Sequence, residues 1–347
     1  MNRTTLRNCI LVCAASIGLA WYLWHSKRWI KLGNHKSAIN DLSCSRTDSL
    51  IASASFGWYL EDSIHARSAL GVLPSDPSSM PAVNVWNIGM GTNAFTTVSL
   101  TRSIVSAAIS PDGTMLVYGT QQDGAVTVMP IQKSRSAKSF YNHTGAVTCC
   151  RWINESTVIS SSADHSLCAV AIDGTSVTKL GGHNALVSHV EVDDSGGRAV
   201  SCSYDGTVRL WDLRKRSEIG KIDFGHHRLE TLALASDGKS GFVGVGKSLV
   251  SFDVQGSKEL GRATVPAQVE SIAPLLCPGV ALICGSDKRV YLCDTVANTS
   301  KDVTTRLHVG GSWRIAIPAD RKSIVLGTTD GDVFKLVFDP DQLCIRH

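Results

Sequence analysis

Short runs in which apolar and polar residues alternate recur along most of the chain. AVSCS (Ala199–Ser203), TVRLWD (Thr207–Asp212), GFVGV (Gly241–Val245) and SIVLGT (Ser323–Thr328) are five or six residues long and rich in β-branched side chains. Turn signals separate them, such as DDSGG before AVSCS and YDG between AVSCS and TVRLWD. A period of two bounded by Gly, Asp and Ser predicts strands joined by tight turns rather than helices. The expected fold class is all-β.

The pattern itself repeats about every forty residues. Its clearest copy, GGHNALVSHVEVDDSGGRAVSCSYDGTVRLWDLRKR (Gly181–Arg216), runs Gly-His, strand, turn, strand, Asp-Gly, strand, Trp-Asp. This resembles the WD-repeat (WD40) β-propeller family, with its Gly-His and Trp-Asp signatures at that spacing. Weaker copies start near Ser103, Tyr141, Phe224, Gln268 and Ser312, and a first copy opens at LGNHKSAINDLSCS and resumes at AVNVWNI. Seven copies imply a seven-bladed propeller over residues 28–340, with 341–347 as a short tail. The resemblance also implies a structural tetrad in the fourth copy: His183, Ser201, Asp205 and Trp211. The third copy keeps His143 and Asp164 but has Val170 at the Trp position, and the first keeps His35 and Trp86. The last copy ends after its third strand, so residues 29–32 (WIKL) are expected to pair with Asp332–Phe338 and close the ring, as N-terminal strands commonly do in this family. Closure hides sheet edges that would otherwise invite aggregation.

Residues 1–27 differ from the rest. NCILVCAASIGLAWYLWHS (residues 8–26) lies between Arg7 and Lys27, no acidic residue precedes Asp41, and Trp21, Tyr22 and Trp24 crowd its C-terminal end. As a helix it would span roughly 28 Å, close to a hydrocarbon core, with aromatic residues at the interface. A single N-terminal transmembrane helix is therefore expected, in a mitochondrial membrane or the endoplasmic reticulum. A signal peptide cut after Ala20, a presequence and a buried helix are the competing readings.

Composition narrows function further. The net charge of +4 is too mild to argue for nucleic acid, and charged residues make up 18%. The 11 cysteines are odd in number and form no C-x-x-C; Cys202, Cys284 and Cys293 sit in apolar runs, so buried free thiols are expected. No metal-ligand spacing and no nucleophile–base arrangement stands out, so neither metal nor cofactor is expected. ADH (Ala163–His165) and GHH (Gly225–His227) fall on turns of the repeat.

Three further stretches bear on function. GFVGVGKS (Gly241–Ser248) matches the P-loop pattern letter for letter. A P-loop must leave a parallel strand and open a helix around phosphates. In register with the fourth copy, GKS falls on a hairpin turn and LVSFDV on the next strand, so no nucleotide site is expected. WDLRKR (Trp211–Arg216) contains W-D-x-R, similar to the box by which some WD proteins dock on a cullin ubiquitin-ligase adaptor; the resemblance would give that contact to Asp212 and Arg214. The basic run Arg209, Arg214, Lys215 and Arg216 otherwise reads as a solvated bottom-face loop. Between the second and third strands of the first copy lies an insertion, residues 56–81, whose aromatic half offers Trp58 and Tyr59 as partner contacts.

The expected function is a non-catalytic, membrane-tethered scaffold for protein–protein interaction, plausibly an accessory subunit of a membrane complex, with no small-molecule substrate. Alternatives are a regulator of a small GTPase or of vesicle-coat assembly at the endoplasmic reticulum, or a ubiquitin-ligase substrate adaptor.

Overall fold

The computed structural model describes residues 29–35, 37–45, 50–55, 82–87, 92–98, 103–131, 137–304, 312–318 and 321–337. Residues 1–28 and 56–81 lie outside them, and so do the calls made there: the membrane helix, Trp58 and Tyr59. Among the described residues no helix is long and apolar enough to cross a membrane.

The chain forms seven four-stranded antiparallel sheets. We label the strands of each sheet a to d. Strand a lines the centre and strand d the rim. Blade one is Ile39–Cys44, Leu50–Ser55, Ala82–Asn87 and Thr92–Val98; blade two is Ile104–Ile109, Met115–Thr120, Ala125–Pro130 and Lys138–Tyr141. Blade three is Val147–Asn154, Thr157–Ser162, Leu167–Ala171 and Val177–Leu180; blade four is Val187–Val192, Arg198–Ser203, Thr207–Asp212 and Ser217–Asp223. Blade five is Leu229–Leu234, Ser240–Val245, Ser248–Asp253 and Lys258–Thr264; blade six is Val269–Pro274, Val280–Gly285, Val290–Asp294 and Thr299–Asp302.

Blade seven mixes the two ends of the propeller. Ser312–Ala316, Ser323–Thr328 and Asp332–Val337 supply strands a to c, and Trp29–Asn34 supplies strand d. Trp29 stands opposite Leu336 and Asn34 opposite Asp332, with a bulge between Lys31 and Gly33. Lys31 Nζ reaches Asp332 Oδ1 at 2.6 Å, and the His35 N–H donates to the Gly331 carbonyl at 2.8 Å. The closed ring leaves blade seven with the same four strands as its neighbours.

Single blades have no closed core; the seams between them do. Each seam holds a cluster of buried side chains contributed by two adjacent sheets. Leu32 and Val333 of blade seven pack with Ile39, Leu42, Ile51 and Trp86 of blade one. Burying a side chain of Leu or Val size contributes about 1.5–3 kcal/mol, so the closing strand is held by packing as well as by its ladder.

Among the cysteines, Cys149, Cys150, Cys168, Cys202, Cys284 and Cys293 are buried and free, and Cys44 is half-buried. Cys277, on the a–b turn of blade six, departs from the expectation: it is disulfide-bonded. It lies in a turn rather than in an apolar strand, half-buried against the seam between blades six and seven.

Candidate functional site

Blade four carries a complete hydrogen-bond relay. His183 Nδ1 stands 3.0 Å from Asp205 Oδ2, and His183 Nε2 stands 2.8 Å from Ser201 Oγ. The Trp211 indole N–H donates to the same Ser201 oxygen at 2.9 Å. The polarity follows from the donors available: Nδ1–H donates to the carboxylate, and Nε2 accepts from the Ser201 hydroxyl. A neutral imidazole satisfies every partner. Burial lowers the His183 pKa, with Asp205 opposing. Burial works against ionisation of Asp205, yet hydrogen bonds from the Thr207 hydroxyl, the Asn184 N–H and His183 hold its carboxyl far below the usual range. The carboxylate thus fastens the d–a loop to the b–c turn.

Blades three and one keep parts of this relay. In blade three, His143 stands 3.2 Å from Asp164 and 2.8 Å from Ser160, while Val170 fills the Trp position and Ser160 also donates to the Cys168 carbonyl at 3.3 Å. In blade one, His35 Nε2 and Trp86 Nε1 both stand 2.6 Å from Ser53 Oγ. The b–c connection of blade one is the insertion, so no Asp reaches His35 Nδ1 among the described residues. Burial alone takes the His35 pKa down to about 4. The two ends of the insertion are clamped: Ser55 Oγ donates to the Ala82 carbonyl at 3.2 Å and accepts from the Ala82 N–H at 3.1 Å. This clamp holds the second and third strands of blade one together at that end.

GFVGVGKS is a hairpin. Val245 pairs with Ser248 across Gly246 and Lys247, and Gly246 has φ +58. Ser248–Asp253 is a strand where a P-loop needs a helix, and the Gly246 and Lys247 carbonyls accept from the Val269 and Val265 N–H groups at 3.3 and 2.9 Å. Two reasons for glycine are visible: the turn at Gly246, and Gly241, where a Cβ would meet the Phe252 ring at 2.3 Å.

The W-D-x-R stretch divides. Asp212 Oδ1 accepts from the Lys215 N–H at 2.8 Å and so shapes the c–d turn, whereas the Arg214 side chain is exposed. Arg209 does not belong to the basic loop. It lies in strand c with its side chain 12% exposed and pairs with Glu218 at 2.5 Å. It is the third residue of strand c, near the b–c end, and its guanidinium lies beside Gly182 of the d–a loop, away from the bottom face.

The central channel holds a polar system that the repeat reading missed. The Ser106 hydroxyl (2.6 Å) and the Ala107 N–H (3.2 Å) donate to Asp41 of blade one. Arg151 of blade three reaches Asp41 at 3.3 Å and Glu191 of blade four at 2.9 Å. His189 Nε2 stands 3.0 Å from Glu191. Arg314 of blade seven donates to the Asn40 carbonyl at 2.5 Å and to the Glu270 carbonyl at 3.2 Å, tying blade seven to both neighbours. Above this layer a cavity of about 460 Å³ opens to the top face past Tyr204, Glu230 and Glu270. Below it a cavity of about 660 Å³ opens to the bottom past Asp193, Asp194 and Arg321. Arg151 and Glu191 line both, so they form the waist. VTCCRW, VSHVEV and SWRIA each place a charged residue inside an innermost strand, but no single repeat says that these residues meet.

The WD domain, G-beta repeat family profile matches residues 134–169 and 174–212, which carry the two His–Asp pairs. The chain carries WD repeats. The described strands form seven blades, and these two segments supply the matching repeats. It is similar to Ribosome biogenesis protein YTM1 of Pyricularia oryzae, 27% identical over 259 residues, covering 68% of this chain and 53% of that protein. It is similar to Small ribosomal subunit protein RACK1y of Oryza sativa subsp. japonica, 37% identical over 87 residues, 24% of this chain and 26% of the relative. Similarity to DDB1- and CUL4-associated factor 10 of Mus musculus is 23% over 168 residues, 48% of this chain and 29% of that protein. The chain spans about half or less of the length of these relatives.

Proposed function

We propose that this WD-repeat propeller is a non-catalytic scaffold held at a membrane by residues 8–26, with its top face and the insertion 56–81 free to bind other proteins, as an accessory subunit of a membrane complex. The pairing of Trp29–Asn34 with Asp332–Val337 carries the reading. Trp29 is at the bottom end of that strand, so an apolar segment that ends at residue 26 would bring the bottom rim of blade seven to the bilayer. The top-face loops would then point away from it. The basic residues Arg214, Lys215 and Arg216 on the bottom c–d turn of blade four suit an anionic lipid surface on the same side. Mitochondrial and endoplasmic reticulum membranes both fit the acid-free N-terminus. Proximity labelling from the intact protein, combined with protease protection of its C-terminus, tests this. Membrane-integral neighbours and a carbonate-resistant chain are expected; a chain washed off membranes by carbonate, with soluble neighbours alone, would refute the tether.

One observation favours a second reading. The similarity to DDB1- and CUL4-associated factor 10, together with an exposed Arg214 after Trp211-Asp212, suits a ubiquitin-ligase substrate adaptor. Arg214→Glu would then abolish co-purification of a cullin adaptor and leave the melting temperature unchanged. Absence of that adaptor from wild-type pulldowns removes this reading.

A further inference from the structure

Six described cysteines are buried, and one of them has a different setting. Cys149, on strand a of blade three, borders the upper cavity with His189, Arg151 and Glu191. Its thiol donates to the Val190 carbonyl at 3.5 Å and lines the same cavity wall as the His189 side chain. His189 is held in turn by Glu191: its Nε2 stands 3.0 Å from Glu191 Oε1, and Arg151 Nε donates to the same carboxylate at 2.9 Å. Asp41 on blade one, Cys202 on blade four and the adjacent Cys150 also interact electrostatically with the thiol. A thiol beside an imidazole that a carboxylate orients, with a guanidinium next to it, is the arrangement that makes a thiolate available.

From this cluster and the cavity it borders, we infer that Cys149 is a site of oxidative modification, converted to the sulfenic acid by hydrogen peroxide that enters through the top of the channel.

Electrostatics separate Cys149 from the other thiols. Burial opposes its ionisation, but Arg151 and His189 outweigh burial and hold it below the ordinary thiol value. Burial pushes Cys202, Cys284 and Cys293 up to about 12 and Cys168 to about 11, and it takes Cys150, the next residue, well above the usual value. His189 moves the opposite way: against burial, Cys149 and Glu191 raise it to about 10, so it carries a proton at neutral pH. Glu191 falls to about 2, because Arg151 and His189 outweigh its burial.

The chemistry balances with peroxide as the oxidant. The Cys149 thiolate attacks one peroxide oxygen; an S–O bond forms and the O–O bond breaks. Sulfur loses two electrons and the peroxide gains them. The departing hydroxide takes the His189 proton and leaves as water, giving Cys149–SOH beside a neutral imidazole. The channel also selects the oxidant. Cys149 is only 1% exposed, which excludes bulky reagents, and Glu230 and Glu270 at the mouth disfavour anions such as glutathione. Peroxide is small and uncharged. Among the described residues no group of His, Cys, Asp and Glu could hold a metal, so the cluster is not a metal centre. Oxidation there would replace a thiolate–imidazolium pair by two neutral groups at the channel waist, beneath the face proposed to bind partners.

The test uses the full chain in detergent, treated with hydrogen peroxide at neutral pH, quenched into denaturant with dimedone, and mapped by mass spectrometry. Cys149 should acquire the sulfenic adduct at least about 100-fold faster than Cys202, Cys284 or Cys293, the ratio left after their smaller thiolate fractions are set against higher nucleophilicity. Folded His189→Gln should slow Cys149 by roughly tenfold, as expected for one pKa step of thiolate population. Equal rates at Cys149 and Cys202, or an unchanged rate in folded His189→Gln, overturn the inference. If His189→Gln does not fold, the wild-type pH profile decides: a midpoint below the ordinary thiol value of about 8.5 supports the site, and one at or above it overturns it.

Discussion

Gly33 lies flat against Trp86 across the seam between blades seven and one: a Cβ on Gly33 would stand 2.3 Å from Trp86 Cη2 and 2.5 Å from Cζ3. Trp86 is 2% exposed and its indole N–H is committed to Ser53, which also holds His35. Ring closure and the blade-one relay are therefore one unit. Gly33→Ala must displace a packed indole and should cost about 1–3 kcal/mol, the usual price of overpacking. Trp86→Phe alone also destabilises, but the double variant should be less impaired than the sum of the two. A double-mutant cycle by denaturant melts checks this, with additivity excluding the contact.

Ser201 and Ser160 occupy the same position in blades four and three, yet only Ser201 holds an indole. Ser201→Ala strands both His183 Nε2 and Trp211 Nε1, whereas Ser160→Ala strands the His143 nitrogen and removes one bond to the Cys168 carbonyl. An unsatisfied buried polar group costs about 1–3 kcal/mol, so Ser201→Ala should be the more damaging by about that amount. Equal losses in urea midpoints would mean that the Trp211 bond carries no net stability.

The His35 relay predicts acid sensitivity. His35 is depressed from 6.5 to about 4 by burial, so the unfolded chain binds its proton first. Its contribution is complete above pH 6.5 and is lost as pH falls towards 4, about 2 kcal/mol by pH 5. His143 and His183 are lowered in the same direction, while Asp164 and Asp205 protonate only in stronger acid. Melting temperature should fall between pH 7 and 5, and less steeply in His35→Asn. Identical slopes would contradict this.

Arg151 bridges Asp41 and Glu191, whose positions in the chain are far apart. Arg151→Met leaves the buried Asp41 without its counter-charge and Glu191 with His189 alone, and should destabilise by about 3–5 kcal/mol. Adding Asp41→Asn and Glu191→Gln should restore most of it. No recovery in the triple variant would show that packing by the Arg151 stem, not charge, is what the waist needs.

Much of this could be read in advance. Alternation in stretches such as AVSCS and SIVLGT identified strands, and the forty-residue period counted the blades. Matching GKS to YDGT turned an apparent phosphate loop into a hairpin, because register within a repeat outweighs a local pattern. The channel was not legible in the same way. VSHVEV reads as an ordinary half-exposed strand, and nothing in one repeat says that its polar face meets Arg151 of the next blade rather than solvent. Arg209 misled for a related reason: proximity to Arg214 in sequence hid the strand that turns it towards Glu218. The Cys277 disulfide depends on long-range placement that spacing does not encode.

The most direct measurement compares two truncations of the full chain for membrane partition and thermal stability. Removing residues 1–26 spares Trp29–Asn34, so the product should leave the membrane fraction and melt near the wild-type temperature. Removing residues 1–34 also deletes strand d of blade seven and Leu32 from its seam, so the product should open, melt far lower and aggregate through the bared strand Asp332–Val337. Equal stability of the two products would contradict closure by Trp29–Asn34, and retention of the first product on carbonate-washed membranes would contradict the tether.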